Sequence, residues 1–199
     1  MFEACSALDG YRAQPGMDGT DGRRSLKLGE VAGTKLLQLG VYPGGAARVA
    51  AAVLPILGEL PDSKDRATPG ERLMMRISPD QYWIVGGESD LEAHLGNALP
   101  ADAGCVTSLS AARTRLFIEG QPARATLSRL VAIDLHPARF PLLGFAQTGI
   151  HHVGGLLLRV GEERYEFFAL RTFAATTWEV LLDAALPFGY EILLPESMK

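Results

Sequence analysis

Hydrophobic and polar positions in the first half of the chain alternate between strand-like and helix-like patterns. Runs typical of strands occupy residues 34–42, 72–77, 81–85 and 105–109. Helical patterns occupy residues 46–54 and 89–99. Pro55 is expected to end or kink the first helix, and Ser89 with Glu92 forms a capping-box pattern for the second. The predicted order is β-α-β-β-α-β.

The second half repeats this order of elements. Residues 113–118 alternate, with Thr114, Leu116 and Ile118 on one face of the predicted strand. The pattern then predicts a helix from Pro122 to Val131, a hairpin over residues 153–160 and 164–170, a helix from Thr172 through Leu186, and a strand at residues 190–194. The last helix is expected to turn Phe173, Val180, Leu181 and Ala184 to the core and Thr176, Glu179 and Asp183 to solvent.

Two tandem β-α-β-β-α-β (ferredoxin-like) units predict an α+β protein with antiparallel sheets backed by helices, packed as one compact body. The repeat is one of element order rather than of residues, and the two units can share or exchange strands. Residues 1–25 are predicted as an irregular arm, residues 26–110 as the first unit and residues 111–199 as the second. Residues 26–31 are predicted as a short edge strand.

The segment from Asp134 to His152 departs from these patterns. It combines an acid, three of the four histidines, two prolines and a Gln-Thr pair between a predicted helix and a predicted strand. We interpret it as a long structured loop. Because ordering such a loop costs conformational entropy, loops of this kind tend to persist where they bind or dock something.

Histidine side chains in this segment are candidate metal ligands. His136, His151 and His152 match no zinc spacing, and neighbouring residues on a strand point to opposite faces. The simpler interpretation is one histidine hydrogen-bonded to backbone, one buried and one solvated. Asp134 is expected to accept hydrogen bonds from backbone N–H groups of the loop.

Composition and charge exclude several classes of protein. Hydrophobic residues make up 47%, charged residues 21%, and the formal net charge is −4, which argues against nucleic acid or an anionic membrane as a partner. Basic residues are scattered, and each group is expected to be solvated: Arg23 and Arg24, Arg113 and Arg115, Arg124 and Arg129, Arg159 and Arg164. Cys5 and Cys105 are too few for a disulfide framework or a zinc ribbon. No signal peptide or membrane span is predicted, so a cytoplasmic location is expected.

Motifs for catalysis or cofactor binding are not recognisable in the sequence. Residues 40–45 (G-V-Y-P-G-G) pass from strand to helix, but they lack both the P-loop Lys-Ser/Thr and the G-x-G-x-x-G of dinucleotide folds. No serine lies in a G-x-S-x-G motif. A binding or subunit role is therefore favoured over an enzymatic one, with no catalytic, cofactor-binding or metal-binding residue expected on this chain.

Several short motifs nevertheless resemble, in the same order, the gamma subunit of heterotetrameric sarcosine oxidase. They are S-A-A-R at residues 110–113 with Gly120, D-L-H-P at 134–137 with Phe140, Pro141 and Gly144, A-Q-T at 146–148 with His152, and R-T-F-A at 171–174 with Trp178 and F-G-Y at 188–190. The resemblance covers roughly Leu73 to Ile192, with Ser78, Pro79, Asp80 and Trp83 as a weaker echo.

This resemblance implies a fold similar to the folate-binding domains of aminomethyltransferases and an assembly of alpha, beta, gamma and delta chains. It implies oxidative demethylation of sarcosine to glycine with release of hydrogen peroxide, the methyl carbon leaving as formaldehyde or passing to tetrahydrofolate. FAD, FMN and NAD would belong to the alpha and beta chains and a zinc site to delta. The gamma chain would be non-catalytic and would act in assembly.

For the segment from Asp134 to His152 we hypothesise packing against a larger partner. Arg113, Gln147 and Arg171 would be polar anchors, with Asp134, His136 and His152 as further loop contacts; the alternative is that these residues only stabilise the fold. Two other functions remain open: a module that binds folate or another one-carbon carrier, and a gamma-type subunit of a related N-methyl amino acid dehydrogenase. A free-standing ferredoxin-like sensor of small molecules is a further possibility.

Overall fold

The chain divides into two units, which we name the inner and the outer unit by their places along the sequence alone. The computed structural model describes residues 6–9, 15–33, 35–70, 72–194 and 196–197. The inner unit is Lys35–Ser110, and the outer unit combines Met1–Thr34 with Ala111–Lys199. The pattern had predicted one unit over residues 26–110, but residues 26–34 belong to the outer unit.

The inner unit has the predicted order of elements. These are β2 (Leu36–Val41), α1 (Ala46–Leu57), β3 (Leu73–Ser78), β4 (Gln81–Val85), α2 (Leu91–Ala98) and β5 (Gly104–Ser108). The strands lie in the order β3-β4-β2-β5, and all paired neighbours are antiparallel. Val49 and Val53 of α1 and Leu95 of α2 are fully buried in one cluster with Leu39 of β2, so both helices pack on the same core.

Two predicted helix boundaries in the inner unit are wrong. Helix α1 continues through Pro55 to Leu57. Pro55 is tolerated because it lies in the last turn, where its missing N–H removes a hydrogen bond only at the end of the helix. Helix α2 begins at Leu91 with Asp90 as the N-cap residue, and no side chain caps it. The capping box expected from Ser89 and Glu92 is therefore not formed.

Replacing Ser89 by alanine is expected to change the free energy of unfolding by less than about 0.5 kcal/mol, because an exposed side chain that caps nothing contributes little. A formed N-cap would instead cost about 1 kcal/mol on the same substitution. Urea denaturation of the two proteins distinguishes these outcomes. A loss near 1 kcal/mol would mean that Ser89 caps α2 in solution.

The outer unit is built around a mixed sheet. Its elements are β1 (Leu26–Ala32), β6 (Arg113–Glu119), α3 (Ala123–Leu127), β7 (Phe145–Ile150), β8 (Val153–Arg159), β9 (Arg164–Leu170), α4 (Ala174–Ala185), β10 (Tyr190–Ile192) and β11 (Glu196–Ser197). The strand order is β10-β1-β6-β9-β8-β7, and β11 also pairs with β1. One face of this sheet carries a core that includes Leu116, Leu157 and Phe167, together with Trp178 of α4.

Strand β1 lies inside this sheet rather than at its edge. Leu28 pairs with Ile118 of β6 in antiparallel register and with Ile192 of β10 in parallel register. Leu26 and Leu28 are fully buried, which accounts for the position of the strand. The predicted edge strand is therefore wrong. The expectation of strand exchange is met, since β1 precedes the inner unit but completes the sheet of the outer one.

A buried carboxylate fixes the first described residues to this sheet. Glu30 of β1 is 6% exposed and accepts hydrogen bonds from the Ser6 hydroxyl, from the Ala7 N–H at 3.1 Å and from the Thr114 hydroxyl at 3.0 Å. These donors compensate the cost of burying the charge. Within the arm predicted at residues 1–25, residues 6–9 and 15–25 are described, and Met17 forms an isolated bridge with Tyr190.

The segment from Asp134 to His152 is not one long loop, because it contains β7. The six residues of β7 pair with β8 from Phe145↔Leu158 to Ile150↔Val153, and His151 and His152 form the tight turn between the two strands. The pattern of F-A-Q-T-G-I alternates poorly, and this is why the strand was not predicted. The loop proper is shorter and ends at Gly144.

Both helices of the outer unit are shorter than predicted. Helix α3 spans Ala123–Leu127, although Leu130 and Val131 pack on the core as expected. Helix α4 begins at Ala174 without a side-chain cap from Thr172, and its polar stripe (Thr176, Glu179 and Asp183) is exposed as predicted. Within the described part of the chain, no helix is long and apolar enough to cross a membrane.

Candidate functional site

Three of the residues predicted as partner contacts meet at one end of the outer sheet. Arg113, the first residue of β6, pairs with Leu170, the last residue of β9. Arg171 follows, and its N–H donates to the Ala112 carbonyl at 2.9 Å. The pairing of β8 with β9 brings the turn that contains His152 to the same end. We name residues 111–113, 151–152 and 170–173 the sheet-end surface.

Apolar and cationic side chains are exposed together on the sheet-end surface. Leu170 is 40% exposed and Phe173 is 45% exposed, whereas Arg113 and Arg171 are half-buried. Burial lowers the pKa of the Arg113 guanidinium from its ordinary value, but arginine remains protonated near neutral pH. Phe173 had been predicted on the core face of α4. It lies instead in the short 3₁₀ turn before that helix and faces solvent.

The histidines of the turn are both exposed, so the expected buried histidine is not found. The rings of His151 and His152 meet edge to face with centroids 3.9 Å apart. His151 has a positive φ of 54°, which a tight two-residue hairpin turn requires. Among the described residues, no group of three histidine, cysteine or carboxylate side chains is placed to hold a metal ion.

Asp134 and His136 stabilise the loop from within. The Asp134 carboxylate accepts the N–H of His136 at 2.8 Å, as predicted for a turn-forming aspartate. The His136 ring accepts the N–H of Ala138 at 3.3 Å through Nδ1. Both side chains are exposed, and these two hydrogen bonds are local to the loop. These contacts give the two residues a structural role.

Arg159, which the sequence pattern had assigned to a solvated surface, holds the loop in place. It is 8% exposed and donates to the carbonyl oxygens of Phe140 at 3.0 Å, Gly161 at 3.2 Å and Glu162 at 2.9 Å. The guanidinium thus joins the loop to the β8–β9 hairpin. The guanidinium carbon of Arg159 lies 5.9 Å from the centre of the Tyr165 ring. An arginine at the end of a predicted strand, opposite an aromatic residue of the next strand, was the signal in the sequence that could have indicated this buried position.

The aromatic residue beneath Arg159 connects this loop to the core. Tyr165 stacks on Phe140 with ring centroids 6.4 Å apart. Burial raises the pKa of the Tyr165 hydroxyl, an effect that the charges of Arg159 and Arg124 partly oppose. Phe140 and Leu135 are buried in the core of the outer unit, so the loop is anchored by apolar packing at two points.

Gln147 lies apart from the sheet-end surface. It is exposed on β7, paired with Leu156 at the edge of the sheet. Arg113 is on β6, three strands away in the order β6-β9-β8-β7, which corresponds to about 14 Å at the usual spacing between strands. Of the three predicted anchors, Arg113 and Gln147 therefore lie on separate strands of one sheet and Arg171 directly follows a third strand, so the three do not form one cluster.

A second set of arginines forms ion pairs across β6 and β9. Arg115 contacts Glu166 at 2.5 Å, with side chains only 10% and 4% exposed. Arg164 contacts Glu119 at 2.9 Å and Glu166 at 3.6 Å. The expectation that these arginines are solvated is wrong, because carboxylates on the neighbouring strand neutralise them in a largely buried setting.

Comparison with known proteins identifies the family. A model described as the sarcosine oxidase gamma subunit family matches residues 43–186. The chain belongs to this family. The match begins about 30 residues before the resemblance seen in the sequence motifs, so it also includes α1.

Curated relatives agree with this assignment over most of both chains. The sarcosine oxidase subunit gamma of Corynebacterium sp. (strain U-96) is 31% identical over 176 residues, which cover 84% of this chain and 83% of the relative. The subunit of the same name from an Arthrobacter species is 29% identical over 168 residues, or 83% of this chain and 82% of the relative.

Solved structures extend the comparison to the fold. A chain of heterotetrameric sarcosine oxidase from Corynebacterium sp. U-96, solved with pyrrole 2-carboxylate, superposes with a TM-score of 0.81 at 28% identity, covering 92% of this chain and 95% of that one. Aminomethyltransferase T of the glycine cleavage system from Bartonella henselae gives a TM-score of 0.58 at 17% identity, covering 87% of this chain and 48% of that one. The second likeness concerns the fold alone and agrees with the predicted α+β class.

Proposed function

We propose that this chain acts as the non-catalytic gamma subunit of a heterotetrameric sarcosine oxidase and contributes to the assembly of the complex. The observation that supports it most is the 31% identity with a sarcosine oxidase gamma subunit over 84% of this chain. The likeness to a chain of a heterotetrameric sarcosine oxidase, with a TM-score of 0.81, supports the same role.

The proposed complex contains alpha, beta and delta chains beside this one, with FAD, FMN and NAD bound by the partner subunits. In the proposed reaction sarcosine loses two electrons and its N-methyl carbon, which water converts to formaldehyde. Dioxygen accepts the two electrons and two protons and leaves as hydrogen peroxide. None of the residues described above is assigned to a chemical step, and the cytoplasmic location remains a prediction.

Co-expression of a tagged version of this chain with alpha, beta and delta chains tests the proposal. We expect a yellow complex with the four chains in equal amounts and peroxide release that depends on sarcosine. Omitting this chain should lower the yield of assembled complex, because an assembly subunit stabilises its partners by mass action. A colourless chain that purifies alone would contradict the proposal.

A folate-binding module is the second candidate, supported by the aminomethyltransferase-like fold and by nothing more specific. Titrating tetrahydrofolate into the complex and into a complex without this chain would separate the two functions. Saturable binding that requires this chain would favour the module. A complex that oxidises another N-methyl amino acid faster than sarcosine would instead indicate the related dehydrogenase.

A further inference from the structure

The strands at the ends of the two sheets differ in how far the chain itself covers their edges. At β3, Thr68 and Met74 exchange backbone hydrogen bonds of 2.8 and 3.2 Å, and the pairing of β3 with β4 contains a register shift. At β10, Met17 and Tyr190 exchange bonds of 2.9 and 2.7 Å. Bridges and bulges of this kind keep an edge from pairing with another chain.

The edge of β7 is also partly occupied by the chain. The N–H of His151, directly after β7, donates to the Leu130 carbonyl at 3.2 Å. Gln147 in the middle of β7 takes part in a further interaction. These contacts leave β5 as the end strand to compare with the other three.

The pairing of β5 with β2 shows which of its backbone groups point away from the sheet. The Tyr42 N–H donates to the Ala103 carbonyl and the Leu109 N–H donates to the Leu36 carbonyl, each at 2.8 Å. These two bonds lie at either end of five residue pairs that run without a register shift. Because bonding alternates along an antiparallel strand, every second residue of β5 bonds to β2 and the others turn their N–H and C=O groups outwards.

Val106 and Ser108 are outward-turned residues. Cys105 and Thr107 bond to β2, and no hydrogen bond joins the backbone N–H or C=O groups of Val106 and Ser108 to any residue that the structure describes. Residues 103–112 also contain no charged residue and no proline, the residue types that usually protect an edge strand. We name the side of β5 that faces away from β2 the β5 edge. It is regular, uncharged and open to an added strand.

We propose that the β5 edge binds an extended segment of a larger subunit, which adds a fifth, antiparallel strand to the sheet of the inner unit. Two residues of that segment, two positions apart, would exchange N–H and C=O bonds with Val106 and Ser108. The segment therefore has no proline at these two positions, and small or β-branched uncharged side chains suit the neighbouring Cys105 and Thr107. This inference rests on the proposed function and names the part of the chain that a partner contacts.

A second copy of this chain is a poorer occupant of the β5 edge. A five-residue strand offers a strip about 17 Å long and about 10 Å wide. A stable dimer buries about 1,000 Å² or more in total, which two such strips do not reach. A segment of a larger subunit is held by the rest of its interface and does not have to bind by this strip alone.

Hydrogen exchange resolved to single residues tests the added strand without any substitution. It is measured on this chain alone and in the complex reconstituted from the co-expressed subunits. In the chain alone, the Val106 and Ser108 amides should exchange fast, whereas the Cys105 and Thr107 amides should be protected by β2. In the complex we expect exchange at Val106 and Ser108 to slow by about tenfold or more, with much smaller changes at the two control amides.

Substitutions at Ser108 test the same bonds by affinity. Ser108→Pro removes an outward N–H and places a ring in the path of the added strand, while the matched control Ser108→Ala keeps the N–H. In binding to a complex that lacks this chain, we expect Ser108→Pro to raise the dissociation constant by about tenfold or more and Ser108→Ala by less than about threefold. Melting temperatures of the unbound variants should be similar, because Ser108 is exposed and a proline is tolerated where the N–H faces outwards.

Each failure of the inference has its own signature. Equally fast exchange at Val106 and Ser108 in the chain alone and in the complex would show that no strand is added, while assembly of the four chains would leave the proposed function intact. Equal affinities of Ser108→Pro and Ser108→Ala would overturn it in the same way. Protection that appears in the chain alone and rises with its concentration would assign the edge to a second copy. If the unmodified chain does not assemble with the other subunits, the proposed function fails and the added strand fails with it.

Discussion

Replacing Glu166 by alanine is expected to destabilise the protein by about 3–5 kcal/mol, the usual cost of leaving a buried charge without its partner. The Glu166 carboxylate is 4% exposed and contacts Arg115 at 2.5 Å and Arg164 at 3.6 Å. Arg164 retains Glu119 at 2.9 Å, so the loss falls mainly on Arg115, whose side chain is 10% exposed. Urea denaturation measures the effect.

The control is Glu119→Ala, which removes the more exposed carboxylate of the same strand pair and should cost less than about 1 kcal/mol. The double substitution Arg115→Met and Glu166→Leu should recover most of the loss, since apolar groups of similar size often replace a buried ion pair without cost. If Glu166→Ala and Glu119→Ala cost the same, the pair with Arg115 is solvated in solution and the buried ion pair is not its main stabilising contact.

Replacing Arg159 by methionine is expected to cost about 2–3 kcal/mol, because hydrogen bonds from a charged donor each contribute about 1.5–3 kcal/mol and only part of this can be restored by water. Methionine keeps most of the apolar stem of arginine but cannot donate to Phe140, Gly161 and Glu162. The loop that contains Phe140 should then open more often. Hydrogen exchange of the Phe140 and Leu143 amides would report this opening directly.

Arg139→Met provides the matched control for this experiment. Arg139 is exposed in the same loop, and its substitution should change stability by less than about 0.5 kcal/mol. If the two substitutions had equal effects on amide exchange, the three bonds of Arg159 would not hold the loop. An unchanged loop with a destabilised hairpin would assign Arg159 to β8 and β9 alone.

Local pattern was sufficient to predict most strands and the α+β class. The alternation of Thr114, Leu116 and Ile118 marks β6, and the polar stripe of α4 marks its exposed face. Strand β7 was missed because an edge strand with Gln147, Thr148 and Gly149 in its second half carries little periodic signal. Phe173 was misplaced because the helical pattern was extended two residues before the start of α4, where no side chain provides a cap.

Buried charges and the pairing of strands far apart in the sequence could not be predicted from the local pattern of residues. Arg115 and Glu166 are 51 residues apart, so their contact depends on a strand register that neither segment encodes alone. Charged residues were expected in solvent because they are seldom buried without a partner. For the candidate site, Arg113, His152 and Arg171 were predicted individually from motifs. Their meeting at one end of a sheet follows only from the pairing of β6, β8 and β9.

The position of β1 has a consequence for how the chain is made. During translation the strand leaves the ribosome before the inner unit, but its neighbours β6 and β10 are synthesised after that unit. The inner unit is continuous in sequence and can therefore close while the chain is still growing. Until then β1 is an unpaired strand with open hydrogen-bonding groups, and such edges are prone to wrong pairing. We expect the nascent chain to depend most on chaperones in this interval.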